Sequence, residues 1–392
     1  MGHIFDEIID RKNTDSLKWD YCEQRFGKED ILPMWVADMD FKSPAPIIEA
    51  IIRRAEHGVF GYTEVSGRLS NALSEWMKKR HGWHTDKKWI VHNPSVVTAV
   101  NTAIQAYTNP GDRVLMQTPI YYPLYSCIGN NDRQLVRNPL RNNNGFFEID
   151  FDDLERKLSD NVRLIIFCSP HNPIGRVWKL GELEEVLRLC KKYDVFLVSD
   201  EIHSDFIFKG HKHIPIGALS EGVYENCITL ISPTKTFNIA GLSASAAIIP
   251  HKENRHRFKH TLNKNGSGGL NIFGLISAEA AYGSCEKWLN ELLEYLEGNL
   301  EILVEYFKKY IPRIKVIRPE ATYLAWLDCS NLPVPAEELK DFFVTEANVG
   351  LNDGITFGEE GYGYLRLNFA CPRALLLEGL EKIKNAVDGI CS

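Results

Sequence analysis

Near its centre the chain reads Ile231-Ser232-Pro233-Thr234-Lys235-Thr236-Phe237-Asn238, directly after a run of apolar and β-branched residues. The apolar run predicts a buried strand over residues 227–232, so the lysine follows just outside the carboxyl end of that strand. Open α/β sheets bind ligands at this edge. A desolvated amine there can form a Schiff base, and the hydroxyls of Ser232 and Thr234 can hold a phosphate. A solvated lysine in a turn is the alternative interpretation.

A second apolar strand ends in acidic residues, in the segment Val198-Ser199-Asp200-Glu201-Ile202-His203. A carboxylate at such a strand end can pair with the protonated nitrogen of a pyridine ring. The ring then stays protonated and can accept electrons from a bound substrate. Asp200 is the better placed candidate, and Glu201 is the solvated alternative. Taken alone, an acidic pair after a strand is also typical of a helix cap.

A third strand ends in Cys168-Ser169-Pro170-His171-Asn172-Pro173-Ile174-Gly175-Arg176, whose proline and glycine residues predict a turn at the same edge. Asn172 can donate a hydrogen bond to a phenolic oxygen of an aromatic ring. An ordinary turn asparagine is the alternative. Together, the three strand ends predict one site that contains an amine, an acid and an amide.

Short β-branched runs alternate with helical patterns over residues 90–285, which is typical of a mostly parallel sheet covered by helices. A long amphipathic run then predicts a helix over residues 288–310 that bridges two domains. The segments beyond it predict a smaller α+β unit. We therefore expect an N-terminal arm with part of the small domain (residues 1–45), a large domain (46–285) and a C-terminal small domain (286–392). The predicted strands cover residues 113–118, 163–169, 195–200, 227–232, 243–250, 315–317, 323–327 and 364–369.

The composition argues against a nucleic-acid-binding, membrane-spanning, secreted or metal-binding protein. The net charge of -7 over 392 residues argues against a nucleic-acid surface, and no apolar stretch approaches the roughly 18 to 20 residues that span a bilayer. The first ten residues lack the basic start and apolar run of a secretory signal, so we expect a cytoplasmic protein. The nine cysteines include no C-x-x-C pair, which predicts reduced thiols and no metal site.

The three strand-end motifs occur in the order typical of fold-type-I pyridoxal 5′-phosphate (PLP) enzymes of the aminotransferase class I/II superfamily, which the chain resembles. Within that superfamily it resembles the carbon-sulfur lyases of the cystathionine β-lyase type, a subgroup that includes the bifunctional repressor of the maltose regulon. The supporting stretches are residues 34–41, 170–178, 200–203 and 235–242. The resemblance spans essentially the whole chain and implies an α/β fold whose large domain holds a mostly parallel sheet of seven-stranded type.

The resemblance also implies a role for each matching residue that binds the ring. Lys235 is the Schiff-base lysine, Asp200 the partner of the pyridine nitrogen and Asn172 the ligand of the ring oxygen. Tyr121 stacks on the ring, although by spacing alone Tyr122 is equally plausible. His203 stands where aminotransferases often carry a tyrosine near the ring oxygen, so it is assigned to the cofactor with its role left open.

The phosphate needs several donors, and Asn93-Pro94-Ser95-Val96-Val97-Thr98 predicts the start of an apolar helix with unpaired amides. Ser95, Val96 and Val97 can donate through the backbone. Tyr62 resembles the family tyrosine that reaches the phosphate from a partner subunit, which implies a homodimer with shared active sites. A half-buried surface tyrosine is the alternative. Ser243 departs from the aminotransferase pattern, because many relatives carry a phosphate-binding arginine there.

Arg366 lies mid-strand between apolar neighbours. A buried guanidinium needs an anion, and its fork matches a carboxylate; the resemblance makes that anion the substrate's α-carboxylate and also assigns Ala37 to substrate binding. An arginine on the wet face of the strand is the alternative.

The resemblance implies a β-lyase that cleaves cystathionine or other S-substituted cysteines to a thiol, pyruvate and ammonia. A PLP-dependent aminotransferase is the first alternative, and a regulatory binding protein with residual lyase activity is the second. Small sulfur-containing amino acids are therefore the expected partners, with neither nucleic acid nor membrane among them.

Overall fold

The computed structural model describes residues 3–222 and 224–391. Its strands are β1 (Leu32–Pro33), β2 (Ile90–Asn93), β3 (Arg113–Thr118), β4 (Gln134–Pro139), β5 (Arg141–Asn143), β6 (Phe146–Glu148), β7 (Val162–Cys168), β8 (Phe196–Asp200), β9 (Cys227–Ile231), β10 (Ser245–Ile248), β11 (Lys315–Ile317), β12 (Leu324–Asp328), β13 (Val349–Gly350), β14 (Asn352–Asp353) and β15 (Tyr364–Asn368). The predicted strands therefore match within two residues at each end.

The α-helices are α1 (Cys22–Phe26), α2 (Ala45–Glu56), α3 (Gly67–His81), α4 (Val96–Tyr107), α5 (Pro123–Gly129), α6 (Phe151–Leu158), α7 (Leu180–Tyr193), α8 (Ile216–Ser220), α9 (Pro233–Thr236), α10 (Lys252–Lys264), α11 (Ile272–Ser284), α12 (Glu286–Tyr310), α13 (Leu339–Thr345) and α14 (Arg373–Cys391). The predicted long helix corresponds to α12, whose buried leucines recur every three or four residues.

Seven strands form the main sheet in the order β2-β10-β9-β8-β7-β3-β4. Strand β10 is antiparallel to both of its neighbours, and the remaining pairs are parallel. Strands β8 and β9 are buried along their whole length because helices cover both faces of the sheet. The predicted α/β fold with a mostly parallel seven-stranded sheet is confirmed.

A second, antiparallel sheet has the order β11-β12-β15-β14 and contains the predicted C-terminal strands. The N-terminal segment joins this part of the molecule, since β1 pairs in parallel with β13. The domain boundaries given above stay a prediction. All eight cysteines whose side chains are described are free and buried.

Candidate active site

The carboxyl ends of β7, β8 and β9 meet at one edge of the main sheet, where they border a cavity of about 180 Å³. The first turn of α4 and the N-terminal segment around Ala37 close other sides of it. Ten residues assigned from the sequence line this one cavity, namely Ala37, Ser95, Val96, Val97, Tyr121, Asn172, Asp200, His203, Thr234 and Lys235. The structure therefore brings the three strand-end motifs together, as predicted.

Lys235 lies on the short helix α9, whose first turn is capped by the Ser232 side chain accepting from the Thr234 amide. The lysine Nζ donates to the carbonyl oxygen of Ala37 at 2.6 Å. Burial lowers the pKa of Lys235 to about 8, and the positive charge of Arg366 acts in the same direction. This amine is therefore more readily deprotonated than that of a surface lysine, so a larger fraction of it is present as the free amine, the form that acts as nucleophile and base.

Asp200, the last residue of β8, is 5% exposed. Its Oδ1 accepts from the backbone amide of Ile202 at 3.1 Å, and burial raises the pKa of the carboxyl to about 6, with a smaller contribution from the adjacent Glu201. A cationic partner in the cavity would stabilise the charged form of this group. Asp200 is thus a carboxyl at the cavity wall whose ionised form is disfavoured by burial.

The expectation that Glu201 is a solvated alternative to Asp200 is wrong. Glu201 is fully buried and points into the opposite side of the strand end, where it accepts from Ser199 Oγ, His213 Nε2 and the Ile216 amide. Adjacent residues of a strand face opposite sides of the sheet, so only one of the two carboxyls can reach the cavity.

Arg366 on β15 is 2% exposed, which excludes a position on a wet face. Its guanidinium donates to Asn172 Oδ1 at 3.1 Å, to the Trp35 carbonyl at 3.1 Å and to Asn352 Oδ1 at 2.6 Å, while its Nε has no hydrogen-bond partner among the described residues. Burial lowers the pKa of Arg366 to about 10.

A second buried arginine, Arg176, shows that the absence of an ion pair at Arg366 is unusual. Arg176 is 4% exposed and forms ion pairs with Glu182 at 2.9 Å and Glu320 at 2.7 Å. Within residues 3–222 and 224–391, by contrast, no acidic side chain forms an ion pair with Arg366. A buried guanidinium without an ion-pair partner fits a site that receives its anion from a bound molecule.

Two aromatic side chains occupy different positions relative to the cavity. Tyr121 lines it, whereas Tyr122 is 38% exposed and packs edge-on against Phe357. His203 is buried and also lines the cavity, and its Nδ1 has no hydrogen-bond partner in the described chain. Burial is the main reason that the pKa of His203 falls to about 3, and the positive charges of Lys235 and Arg366 lower it further. Its imidazole is therefore neutral at physiological pH.

The predicted helix start at Ser95 is confirmed, since this residue caps α4 by accepting from the Thr98 amide at 3.0 Å. Thr234 lines the cavity, but the Ser232 hydroxyl contacts Thr234 Oγ1 and the Ala244 carbonyl oxygen, each at 2.6 Å. Tyr62 lies fully exposed in the single chain, outside the cavity lining. Its expected contact with a phosphate therefore depends on a second subunit.

Sequence reasoning missed two residues that shape the site. Asn352 on β14 holds the Arg366 guanidinium, and the buried Tyr323 donates from its hydroxyl to the Ala37 carbonyl at 3.0 Å. Neither lies in a recognisable motif, and each contacts its target across a long stretch of chain. Within the described ranges, no group of three or more His, Cys, Asp or Glu side chains could hold a metal ion, and no helix is long and apolar enough to cross a membrane.

The sequence model of the family described as "Aminotransferase class I and II" matches residues 29–383. The chain belongs to this family. Among curated members, it is 44% identical over 384 residues to cystathionine β-lyase PatB of Bacillus subtilis, which covers 98% of this chain and 99% of the relative. It is 33% identical to Protein MalY of Escherichia coli, over 98% of this chain and 99% of the relative.

Solved structures of family members agree with the fold. Cystalysin from Treponema denticola, whose crystal structure contains a pyridoxal 5′-phosphate cofactor, matches with a TM-score of 0.96 and 35% identity over 99% of this chain and 100% of that one. A PLP-bound C-S lyase from Staphylococcus hominis in complex with L-cycloserine matches with a TM-score of 0.92 and 35% identity, over 99% of this chain and 98% of that one. The match to both structures is therefore global.

Proposed function

We propose that this protein is a PLP-dependent carbon-sulfur β-lyase, which cleaves cystathionine or another S-substituted cysteine to a thiol, pyruvate and ammonia. The observation that carries the proposal is the cavity in which Lys235, with a pKa lowered to about 8, and Asp200, with a pKa raised to about 6, lie with Asn172 at adjoining strand ends. The full-length similarity to a cystathionine β-lyase and to PLP-bound C-S lyases supports the same function.

The side chains around the cavity fit this cofactor. Asp200 would hold the protonated pyridine nitrogen, which supplies the cation that its buried carboxyl otherwise lacks. Asn172 and His203 would contact the ring oxygen, and Tyr121 would cover one face of the ring. The unpartnered Nδ1 of His203 shows that this imidazole has hydrogen-bonding capacity to spare. Lys235 would carry the cofactor covalently.

The phosphate group would lie at the start of α4. Ser95, Val96 and Val97 offer unpaired amides there, and the positive end of the helix dipole favours an anion. Thr234 would add a hydroxyl, and Ser232 would act at the same place if its hydroxyl turns from Ala244.

The bound cofactor supplies an electron sink for charge that develops at the substrate's Cα. Arg366 binds the α-carboxylate through its fork, with Ala37 beside it, and so fixes the position of the Cα-H bond. The substrate's amino group would displace Lys235 from the cofactor, and the freed Lys235 amine would then remove the Cα proton as general base. The bond between Cβ and sulfur then breaks, the thiolate leaves, and the released aminoacrylate hydrolyses to pyruvate and ammonia.

A test that separates the lyase from an aminotransferase supplies cystathionine without any keto acid. Sustained formation of thiol and pyruvate over many turnovers is the expected result, whereas a strict requirement for a keto acid would reject the lyase.

Lys235→Ala should reduce turnover by about 10³-fold, within the usual range for loss of a general base. Borohydride reduction followed by mass spectrometry should find the cofactor on Lys235 of the unmodified protein, and an adduct elsewhere would contradict the assignment.

We also propose a homodimer in which Tyr62 completes the active site of the partner subunit. Tyr62 is fully exposed and lies beside Val59 and Phe60, which are 63% and 57% exposed, while Ile52 on α2 is 50% exposed. Several large exposed apolar side chains within one segment of chain are typical of a protein interface. The cytoplasmic location stays a prediction.

A further inference from the structure

The carbonyl oxygen of Ala37 accepts two hydrogen bonds from opposite parts of the chain. Lys235 Nζ donates to it at 2.6 Å, and the hydroxyl of Tyr323 donates to it at 3.0 Å. A carbonyl oxygen has two lone pairs, so these two donors account for both of them. The lysine amine and the tyrosine hydroxyl are therefore linked through one backbone atom.

Tyr323 is well placed to keep that atom still. Its side chain is fully buried, and its ring packs edge-on against Phe206 with centroids 4.8 Å apart. Its backbone carbonyl accepts from the Phe369 amide at 3.0 Å. Because protein interiors are close-packed, a fully buried ring attached to an anchored backbone has essentially one rotamer, so its hydroxyl has a fixed position.

The segment that carries Ala37 is also held on both sides of the shared carbonyl. Asn368 Nδ2 donates to the carbonyls of Val36 and Asp38 at 2.6 Å each, and Asn238 Nδ2 donates to the Met39 carbonyl at 2.9 Å. The peptide groups on both sides of the Ala37 carbonyl are thus anchored. The hydrogen bond from Tyr323 then restricts the movement of the Ala37 oxygen itself.

We infer that Tyr323 is a positioning residue for Lys235: its hydroxyl fixes the Ala37 carbonyl, and that carbonyl holds the lysine amine in place for proton transfer at the substrate's Cα. This inference rests on the proposed function, in which Lys235 is the base. When the amine takes the Cα proton it becomes an ammonium with three donors, and one of them is directed to Ala37. Tyr323 itself need not touch the substrate.

The test compares two tyrosine-to-phenylalanine variants. Tyr323→Phe removes the hydroxyl and keeps the ring. Tyr224→Phe is the matched control, because Tyr224 is also buried and its hydroxyl also donates to a backbone carbonyl, that of Val195, at 2.8 Å. Val195 precedes β8 at its amino end, away from the cavity, so the control loses the same kind of bond without affecting Lys235.

Proton transfer is measured apart from sulfur elimination by following exchange of the Cα proton of L-alanine with D₂O by NMR, because alanine has no leaving group at Cβ. Both variants should lose similar thermal stability. Tyr323→Phe should lower the exchange rate and kcat by about five- to tenfold, the rate equivalent of one ordinary hydrogen bond. Its KM should change less than twofold, and Tyr224→Phe should leave both rates within twofold.

Three results would overturn the inference: an exchange rate that Tyr323→Phe leaves within twofold, an equal loss in Tyr224→Phe, or an effect confined to KM. Failure of the proposed function would look different. If Lys235 does not carry the cofactor, the unmodified protein would show neither exchange of the alanine proton nor a borohydride adduct on Lys235; if the protein is an aminotransferase, it would show both but would form thiol and pyruvate from cystathionine only when a keto acid is present.

Discussion

Replacing Arg366 tests the part of the site that selects the substrate. Arg366→Met keeps much of the side-chain volume and removes the charge and the fork. Two charge-assisted hydrogen bonds to a carboxylate are worth roughly 1.5 to 3 kcal/mol each. The gain on binding is smaller than their sum because the guanidinium already donates to Asn172, Asn352 and the Trp35 carbonyl. We expect a net loss of roughly 3 to 4 kcal/mol, or two to three orders of magnitude in kcat/KM, chiefly through KM.

The assay uses two small ligands that differ in one group. L-Alanine carries the α-carboxylate and ethylamine lacks it, and the binding of each is followed by the change in visible absorbance of the bound cofactor. Arg366→Met should raise the Kd of L-alanine by roughly 100-fold or more and that of ethylamine by less than about threefold. Arg366→Lys, which keeps the charge but not the fork, should fall between, at roughly 10- to 30-fold. Equal weakening of both ligands would refute the carboxylate role, since the loss would then reflect a disturbed site.

The remaining predictions concern the cofactor. The pKa of Asp200 is raised in the folded protein from 3.8 to about 6, so the unfolded chain ionises first and Asp200 increasingly destabilises the fold as the pH rises between those values. Without PLP, Asp200→Asn should therefore be more stable than the unmodified protein at pH 7.5, by at most roughly 3 kcal/mol, with no difference below about pH 4; chemical unfolding at both pH values measures this, and a less stable variant at pH 7.5 would contradict the reasoning. With PLP bound the order should reverse, because the pyridine nitrogen loses its ionised partner. Tyr62→Phe should raise the Kd for PLP by about three- to tenfold. Hybrid dimers of Tyr62→Ala and Lys235→Ala subunits should regain part of the activity, because one of their two sites is intact, and hybrids as inactive as the parent variants would argue against a shared site.

Much of the fold could be predicted because it is encoded in local patterns. Parallel strands buried on both faces are continuous apolar runs, and β7, β8 and β9 lie within two residues of their predicted bounds. The site followed from the same patterns, because the ends of parallel strands necessarily share one edge of a sheet. Lys235, Asp200 and Asn172 could thus be assigned to one site from the sequence, and all three line one cavity.

Side-chain direction could not be predicted in the same way. Asp200 and Glu201 are adjacent in the sequence and both are acidic, yet one lines the cavity and the other is buried against His213. Which of two consecutive residues faces the cavity depends on the twist of the strand end and on the helices packed behind it. Similarly, spacing left Tyr121 and Tyr122 equivalent, and only tertiary packing places Tyr121 at the cavity.

The amino-acid sequence by itself determined eight of the strands, the long helix α12 and the edge of the sheet at which Lys235, Asp200 and Asn172 meet. Only the tertiary structure decided which long-range partners those side chains have. Arg366 donates to Asn352 and forms no ion pair with any acidic side chain that the structure describes, and Ala37 and Tyr323 meet across 286 positions of the chain. The periodicity of apolar residues indicates the secondary structure of a segment and which of its faces is buried. Contacts between distant segments arise only when those segments have packed together.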